Sequence, residues 1–348
     1  MIIPVGRAII VDDVGWFNGE DERMKNGSAR SGIPRFHTPS DVKALNAVAE
    51  GLGVKIGCSL VLGEWDKNNR LRNVPHVTAN PDTWDAKGNM NMEYVEAYFE
   101  ALEESAGLEY YVHGLMHAYY IEGKLHTARQ YYPTIFDKDG KDIGFVWLPR
   151  EEFRNMIELF YEIYGDWGFK KELKTFVSPC GCRGKVDDEG NIEYAKVLRE
   201  FGMDYWANGW MNHNKHVDTI EGMITSKGRC IAPWNAYGIN LAPLDNKRID
   251  THLGAHLANF IRYNPEDNFE YTDAWVKYFD GNYNYFGAML AKDNSESSSQ
   301  TLYSRFAKTE KTAEGYTIDL SAVDALRAGG LKNELFVSFR DGVSPKNA

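Results

Sequence analysis

The chain has 348 residues and a formal charge of −11, and it is 43% hydrophobic and 26% charged. This composition is typical of a globular protein and excludes a wholly disordered chain. Lys and Arg form no dense cluster, so we expect neither nucleic acid nor an anionic membrane as a partner. No apolar run is long enough to span a bilayer, and residues 1–11 carry no secretory signal, so the default expectation is a cytoplasmic protein. The composition does not indicate whether the protein is a monomer or an oligomer.

Aromatic residues make up 13% of the chain, with 20 Tyr, 17 Phe and 9 Trp. Most of them are expected in the core, because large rings dominate the packing of protein interiors. Some could line a groove, since flat rings match the apolar faces of sugars. The four cysteines form no disulfide framework in a chain of this length and are expected as free thiols.

Short apolar segments alternate with longer segments of helical periodicity. The first strand ends in two aspartates, and Thr38-Pro39-Ser40-Asp41 then predicts a helix start, with a cap, a proline and an acid in their favoured positions. A polar loop, Gly63–Asn91, follows the second strand. The predicted strands are Ala8–Val11, Val54–Leu62, Glu109–Val112, Lys174–Val177, Asp204–Ala207, Gly222–Thr225, Cys230–Pro233 and Arg248–Thr251.

Nearly continuous apolar strands separated by helices indicate an α/β fold with a parallel sheet buried on both faces. Seven or eight strands favour closure into a (β/α) barrel over residues 1–291. Residues 292–300 are rich in Ser, Asp and Glu, which predicts a linker. Beyond it, Gly315–Leu320 and Glu334–Phe339 alternate polar and apolar residues, which predicts a small antiparallel β region over 301–348.

In parallel barrels the functional groups lie where strands end and loops begin. His113 and His117 follow one strand at a spacing of four, which would place both imidazoles on one face of a helical turn to clamp a zinc ion. Two neutral imidazoles leave the charge of the ion uncompensated, so a carboxylate is expected as third ligand, from Asp12 or Asp13. Adjacent residues of a strand point in opposite directions, so the other aspartate could approach a bound water.

These residues fall in motifs that resemble those of the polysaccharide deacetylases, the NodB-homology superfamily. Ile10–Gly15 resembles the first motif, with its pair of aspartates, and His113–His117 resembles the second. Phe176–Gly181 is similar to the third and Asp204–Trp206 to the aromatic fourth, and a histidine within 252–256 falls where the fifth motif has one. The motifs are in family order and span roughly three quarters of the chain.

The resemblance implies a distorted (β/α) barrel that removes N-acetyl or O-acetyl groups from a carbohydrate. It implies Asp12 as general base and a divalent ion, Zn²⁺, held by three ligands: Asp13, His113 and His117. Val177 stands where the family has an arginine that orients the base, so either Arg183 takes that role or the role is lost.

A histidine is expected to protonate the leaving group. His256 is the first choice, because the apolar residues after it would hold its ring rigidly, and His252 is the second. A carboxylate near that ring is expected to raise its pKa above the usual value of ~6.5 and so keep it charged. The predicted substrate contacts lie at the start of the long loop and at two other strand ends: Glu64, Trp65, Asp66, Cys180 and Trp206.

Two other functions remain open at this point. A glycoside hydrolase would use two carboxylates across a glycosidic bond, drawn from Asp12, Asp13 and Glu64, with Trp65 stacked on a sugar. That hypothesis leaves the two motif histidines without a role. A catalytically silent carbohydrate-binding barrel would bind sugar without turnover. Metal content and the release of acetate separate the three functions.

Overall fold

The computed structural model describes residues 1–207, 219–226, 228–232 and 251–340. Its strands, in chain order, are β1 Val5–Val14, β2 Ile56–Val61, β3 Leu108–Gly114, β4 Tyr119–Ile121, β5 Lys124–Thr127, β6 Thr134–Phe136, β7 Asp142–Phe145, β8 Leu173–Val177, β9 Tyr205–Ala207, β10 Thr219–Ile220, β11 Met223–Thr225, β12 Gly228–Cys230, β13 His252–His256, β14 Ala288–Leu290, β15 Lys308–Lys311 and β16 Tyr316–Asp319. Its helices are α1 Pro39–Leu52, α2 Ala86–Asn89, α3 Val95–Glu104, α4 Arg150–Trp167, α5 Glu189–Glu200, α6 Thr272–Tyr283, α7 Asn294–Phe306 and α8 Ser321–Asp324.

Within the described residues, ten strands form one sheet in the order β10-β11-β9-β8-β3-β2-β1-β13-β12, with β14 also paired to β1. Every pair is parallel except β10 with β11. All six residues of β2 are buried, which fits a strand covered on both faces of its sheet. The predicted parallel sheet is confirmed, whereas its closure into a barrel stays a prediction.

The sequence pattern around Thr38 does form the start of a helix. The Asp41 carboxylate accepts a hydrogen bond from the Thr38 N–H at 3.0 Å, and Pro39 is the first residue of α1. The apolar face of α1 is buried and packs against α3 and α6. The helix ends at Leu52, and the next residue, Gly53, has a left-handed φ of 67° that glycine favours.

Two small hairpins interrupt the strand and helix alternation after β3. The strands β4 and β5 pair antiparallel, and so do β6 and β7. The long loop 63–91 contains three short 3₁₀ turns and the single-turn helix α2, so it is largely irregular, as predicted. The last predicted strand, Arg248–Thr251, falls mostly outside the described residues. The strand β13 begins at His252, so the two candidate histidines lie at its two ends.

The predicted linker at 292–300 is wrong, because Asp293 caps helix α7 and residues 294–300 belong to that helix. The Asp293 side chain caps the helix by accepting from the Glu296 N–H at 2.8 Å. The serines are small enough for α7 to lie directly against β1, and Ser297 Oγ donates to the Gly6 carbonyl at 3.2 Å. A Cβ at Gly6 would approach the Ser297 Cα to 2.9 Å. Close packing therefore explains the Ser-rich composition.

In the C-terminal region, over the described residues 301–340, the strands β15 and β16 form an antiparallel hairpin. The predicted strand Gly315–Leu320 is present as β16, but Glu334–Phe339 forms only an isolated bridge between Ser338 and Ile2. Of the described helices, none combines the length and the apolar character needed to cross a membrane. Cys58, Cys180 and Cys182 are free thiols, as expected.

Candidate metal centre

Asp12 and Asp13 come at the end of β1, in the middle of the sheet. Asp12 is aligned with His256 in the parallel register with β13, which brings both residues to the same edge. Asp13 has a left-handed backbone with φ of 62°, and the register of β1 against β2 shifts between Val11 and Val14. Asp13 is buried and Asp12 is partly exposed, so two adjacent carboxylates occupy different environments.

His113 lies on β3, and His117 follows it in a tight turn. The predicted helical turn is wrong, because β3 extends to Gly114 and His117 has a φ of 46°. The backbone N–H groups of residues 115–117 all donate to Gln130 Oε1, at 2.9 to 3.1 Å. This amide holds the turn closed, and the two imidazole ring centres lie 5.2 Å apart.

Asp13, His113 and His117 bring three metal-binding atoms together. Asp13 Oδ1 is 3.9 Å from His113 Nε2 and 3.8 Å from His117 Nε2. One ligand atom from each residue lies within 4.8 Å of the others. These separations exceed a hydrogen bond, and a zinc ion bound at ~2.0–2.2 Å from each ligand would lie between them.

The hydrogen bonding of His113 prepares it as a ligand. Its Nδ1 donates to the Val177 carbonyl at 2.7 Å, which leaves the lone pair of Nε2 facing Asp13. Among the described residues, His113 Nε2 and Asp13 Oδ1 are buried without a hydrogen-bond partner. Buried polar atoms are costly unless they are satisfied, so this donor set fits a cation.

Burial also sets the protonation of the three candidate ligands. It lowers the pKa of His113 to about 4 and that of His117 to about 3, so both imidazoles are neutral near pH 7. A neutral imidazole is the form that binds a metal. Burial raises the pKa of the Asp13 carboxyl well above its usual value, and the Asp12 carboxylate adds to this effect. A bound cation would favour the carboxylate instead.

His256 lies beside this cluster, with Nε2 3.9 Å from Asp13 Oδ2. Burial lowers its pKa to about 4, and the Asp12 carboxylate only partly opposes that effect. The expectation of a raised pKa is therefore wrong, because loss of hydration outweighs the neighbouring charge. As a neutral ring, His256 can donate a proton to a leaving group only after it has received one.

His252, the second candidate for proton donor, lies four residues earlier on the same strand. It is fully buried, and its Nε2 donates to Asn294 Oδ1 at 2.7 Å. Asn294 in turn donates to Thr175 Oγ1 at 2.9 Å. The structure therefore gives His252 a role in joining α7 to the sheet.

A cavity of about 330 Å³ opens onto the candidate ligands. Cys180, which the sequence predicted as a substrate contact, lines it in a left-handed conformation with φ of 56°. Three arginines that the sequence reading missed also line it: Arg23, Arg30 and Arg129. Arg129 donates to the Cys180 carbonyl. No local sequence pattern marks these arginines as site residues. They lie on segments up to about a hundred residues apart in the chain, and the fold brings them together.

Arg183 and Trp206 were predicted in the site, and the structure places them elsewhere. Arg183 forms an ion pair with Asp142 at 3.0 Å. Trp206 is fully buried and its Nε1 donates to Cys182 Sγ at 2.9 Å. Among the described residues, the guanidinium groups that line the cavity are those of Arg23, Arg30 and Arg129, so Arg183 is not placed for the role expected of it.

The sequence predicted Glu64, Trp65 and Asp66 as contacts on the cavity rim, but the structure does not place them there. Trp65 is fully buried and donates Nε1 to the Gly15 carbonyl at 2.6 Å. Glu64 is 1% exposed and forms an ion pair with Arg30 at 2.8 Å. Asp66 is also fully buried. The loop turns inward directly after β2, so its first residues pack in the core, and only Glu64 reaches the cavity, indirectly through Arg30.

No protein-family model and no curated protein matches the chain. Among solved structures it is similar to a family 4 carbohydrate esterase from Streptomyces lividans in complex with acetate. The TM-score is 0.32 at 12% identity, over 80% of this chain and 88% of that one. A 4-alpha-glucanotransferase from Thermococcus litoralis has a TM-score of 0.27 at 13% identity, over 58% of this chain and 22% of that one. Likeness at this level assigns no chemistry, which rests on the side chains of this chain.

Proposed function

We propose that the chain is a metal-dependent hydrolase that removes acetyl groups from a carbohydrate. The observation that carries the proposal is the convergence of Asp13, His113 and His117 beside Asp12 and His256 in one cavity. The ordered motifs that resemble the polysaccharide deacetylases contain these same residues. A buried set of one carboxylate and two neutral imidazoles is typical of a catalytic zinc site.

A divalent ion on Asp13, His113 and His117 would polarise an acetyl carbonyl and promote the ionisation of water. Asp12, which is partly exposed in the same cavity, would accept the proton of the attacking water. The carbon–oxygen or carbon–nitrogen bond to the sugar then breaks and acetate leaves. His256, after receiving a proton, would pass it to the sugar oxygen or nitrogen.

The Cys180 turn offers a further element of the reaction. Its left-handed backbone and its contact with Arg129 hold the loop after β8 at the cavity. A backbone N–H in this turn, together with the Arg129 guanidinium, would stabilise negative charge on the acetyl oxygen. This role is consistent with the turn following a strand end, where barrel enzymes place their catalytic loops.

The burial of Glu64 disfavours the glycoside hydrolase hypothesis. Glu64 was one of its three candidate carboxylates, yet its side chain forms an ion pair with Arg30. Asp12 and Asp13 are adjacent in sequence at one strand end, not on opposite sides of a sugar ring as the two carboxylates of such an enzyme must be. Trp65 offers no stacking surface, because it is fully buried.

The test is a metal analysis of the purified protein combined with an assay of acetate release. The probes are the β-1,4-linked tetramer of N-acetylglucosamine and acetylated xylotetraose. We expect one divalent ion per chain, and loss of both metal and acetate release in His113→Ala. The matched control is His126→Ala, since His126 does not line the metal cavity and its Nε2 donates to the Thr134 carbonyl at 2.7 Å. Acetate release that survives a chelator would contradict the proposal, and tetramer binding without turnover would favour the silent binding protein.

A further inference from the structure

Three arginines line the cavity that contains the candidate metal ligands: Arg23, Arg30 and Arg129. The chain as a whole is acidic, with 50 Asp and Glu against 39 Lys and Arg. Three guanidinium groups around one cavity of such a chain indicate that this cavity receives negative charge. How much positive charge is left for a ligand depends on the carboxylates that each arginine already contacts.

Two of the three guanidinium groups are neutralised by carboxylates of the chain itself. The Arg30 guanidinium is 2.8 Å from Glu64 Oε1, and both side chains are buried. Arg23 is held by Asp21, whose two carboxylate oxygens accept hydrogen bonds from its Nε at 3.0 and 2.9 Å. Glu22 adds a partly exposed carboxylate 3.5 Å from Arg30. Neither Arg23 nor Arg30 therefore offers the cavity a surplus of positive charge.

Arg129 differs from the other two arginines in its contacts. Within the part of the chain that the structure describes, it forms no ion pair, and its Nη1 donates to the Cys180 carbonyl. A carbonyl oxygen carries no formal charge, so it orients the guanidinium without neutralising it. The side chain is partly exposed and lines the cavity. Its positive charge is therefore accessible to a ligand in the cavity.

The candidate metal centre does not change this surplus. Two carboxylates, Asp12 and Asp13, line the cavity and would balance the charge of a divalent ion. The imidazoles of His113 and His117 would bind that ion as neutral ligands. With the ion in place, the charge left at the cavity is the single positive charge of Arg129.

We propose that the sugar deacetylated in this cavity carries a carboxylate, as a uronic acid does, and that Arg129 binds this carboxylate as a specificity-determining residue. The inference rests on the proposed function, because the metal cavity defines where the acetylated sugar lies. A guanidinium presents its N–H groups in a planar fork that matches both oxygens of a carboxylate. A carboxylate also carries one negative charge, equal to the surplus at the cavity, whereas a phosphate monoester carries nearly two.

Binding a sugar carboxylate is compatible with the role of Arg129 at the acetyl oxygen. A guanidinium has five N–H donors, and the Cys180 carbonyl accepts from Nη1. Enough donors are left for the acetyl oxygen and for a carboxylate on the same sugar. The two roles separate experimentally, because every acetylated substrate has the acetyl oxygen and only an acidic sugar has the carboxylate.

The first experiment compares kcat/KM for acetate release from two probes that differ mainly in charge. One is methyl glucuronoside bearing a single O-acetyl group, and the other is the same compound with its carboxyl group methylated. In the wild type we expect the acid to be the better substrate. Arg129→Gln should lower the acid-to-ester ratio about 10–100-fold, the effect of losing a hydrogen bond to a charged group. Stabilisation of the acetyl oxygen acts on both probes alike, so it cancels in the ratio.

Two further variants control for charge and geometry. Arg129→Lys keeps the positive charge without the planar fork, so its ratio should lie between those of Arg129→Gln and the wild type. Lys311→Gln, on the exposed strand β15, removes one positive charge that does not line the cavity and should leave the ratio unchanged. A wild-type ratio near one, or a ratio that does not fall in Arg129→Gln, overturns the proposal.

The second experiment measures binding without turnover, by titrating methyl glucuronoside, methyl glucoside and methyl glucoside 6-phosphate into the purified protein in a calorimeter. None of the three carries an acetyl group. We expect the glucuronoside to bind more tightly than the glucoside, and its affinity to fall at least about tenfold in Arg129→Gln. This result supports the carboxylate site even if neither acetylated probe is hydrolysed, in which case the proposed hydrolysis alone fails.

The other outcomes of the titration count against the carboxylate site. Acetate release from the acetylated probes, with equal affinities for the glucuronoside and the glucoside, overturns the site and leaves the hydrolysis standing. Tighter binding of the 6-phosphate than of the glucuronoside would make the bound group a phosphate and overturn the choice of a carboxylate. A glucuronoside that does not bind the wild-type protein also overturns the proposal.

Discussion

Asp12 and Asp13 are adjacent in the chain, and the backbone gives them separate roles. Asp13 is buried in a left-handed conformation against both histidines, whereas Asp12 stays partly exposed in the register of His256. One residue is therefore suited to hold an ion and the other to move a proton.

Replacing Asp12 by Asn is expected to keep the metal and to remove most of the activity. An amide cannot accept the proton of the attacking water, and general-base catalysis is worth ~10²–10⁴-fold in rate. The measurement is kcat for acetate release together with metal content. Asp13→Asn is the matched variant and should lose the metal. If Asp12→Asn loses metal as well, Asp12 is a ligand and the two roles are wrongly divided.

Gln130 is a positioning residue for His117, since its Oε1 accepts the three N–H groups of the turn. Gln130→Met keeps the volume and removes the acceptor, so the turn loses its anchor. We expect metal affinity to fall about 10–100-fold, the usual effect of removing a group that orients a ligand. Gln130→Glu retains an acceptor and should bind metal more tightly than Gln130→Met in a direct titration. Equal affinities in the two variants would exclude this positioning role.

At this scale the strand ends predicted the histidine pair, an aspartate partner from Asp12 or Asp13, and a histidine at 252 or 256, whereas the choice of Asp13 came from the resemblance of the motifs to a known family. The sequence could not place Arg129 or Gln130, which follow an unpredicted hairpin. It misplaced Trp65, because an aromatic residue after a strand has no sequence feature that separates a rim position from a core position.

At the scale of single elements, the start of α1 contains a buried hydrogen-bond chain. Ser31 Oγ is 2.7 Å from His37 Nε2, and His37 Nδ1 is 2.9 Å from Asp41 Oδ2. The connectivity is that of a hydrolase triad. All three residues are buried, and Asp41 also accepts hydrogen bonds from Arg35 and Asn268. This buried hydrogen-bond chain therefore holds the segment before α1 in place and does not contact a substrate.

Replacing Asp41 by Asn is expected to destabilise the fold, by on the order of 3 kcal/mol, because it leaves the Arg35 charge without its partner in a largely buried pair. Burial alone would raise the pKa of Asp41, but hydrogen bonds from His37 and Arg35 outweigh it and hold the pKa well below its usual value. A lowered folded-state pKa stabilises the protein above pH ~4 and loses that stabilisation as the pH falls further.

The measurement is denaturant unfolding at pH 7 and at pH 3. The difference between Asp41→Asn and the wild type should shrink at pH 3, because the wild-type protein has by then lost part of the stabilisation from this carboxylate. A difference that is the same at both pH values would show that the ion pair does not contribute to acid sensitivity.

Helices α1 and α7, near opposite ends of the chain, show why the sequence predicted the first helix and not the second. The start of α1 has a local pattern of cap, proline and acid; Pro39 is its first residue, and the Asp41 carboxylate accepts the Thr38 N–H at 3.0 Å. Ser is a poor residue for a helix interior, so the composition of 292–300 indicated a linker. Tertiary packing against β1 overrides that local preference in α7.

At the scale of the whole molecule, α7 attaches the C-terminal region to the sheet. Gly6→Ala is expected to lower the free energy of unfolding by ~1–3 kcal/mol, because the new Cβ would overlap α7. Gly165→Ala in α4 is the control, since its Cβ would meet nothing within 4 Å. Thermal unfolding should show a lower Tm for Gly6→Ala and an unchanged or higher Tm for Gly165→Ala. Equal stability of the two variants would mean that α7 shifts to accommodate the new Cβ at little cost in free energy.

The sequence predicted the α/β class and the parallel sheet, because alternating apolar strands and amphipathic helices leave few other arrangements. It did not predict how the C-terminal region is attached, because that depends on long-range contacts of Ser297 and Asn294 with strands far away in the chain. The division into domains at residue 291 stays a prediction.

Arg30, which lines the metal cavity, also lies over the ring of Trp16, with its guanidinium carbon 4.3 Å from the ring centre. Indole emission responds to a nearby charge, so a ligand that shifts Arg30 would change the fluorescence of Trp16. Trp16 would therefore serve as an intrinsic fluorescent reporter of ligand binding in the cavity. Its emission is one of nine tryptophan contributions in the chain. Subtracting the response of Trp16→Phe would isolate that signal and follow glycan arrival in real time, with no label on either partner.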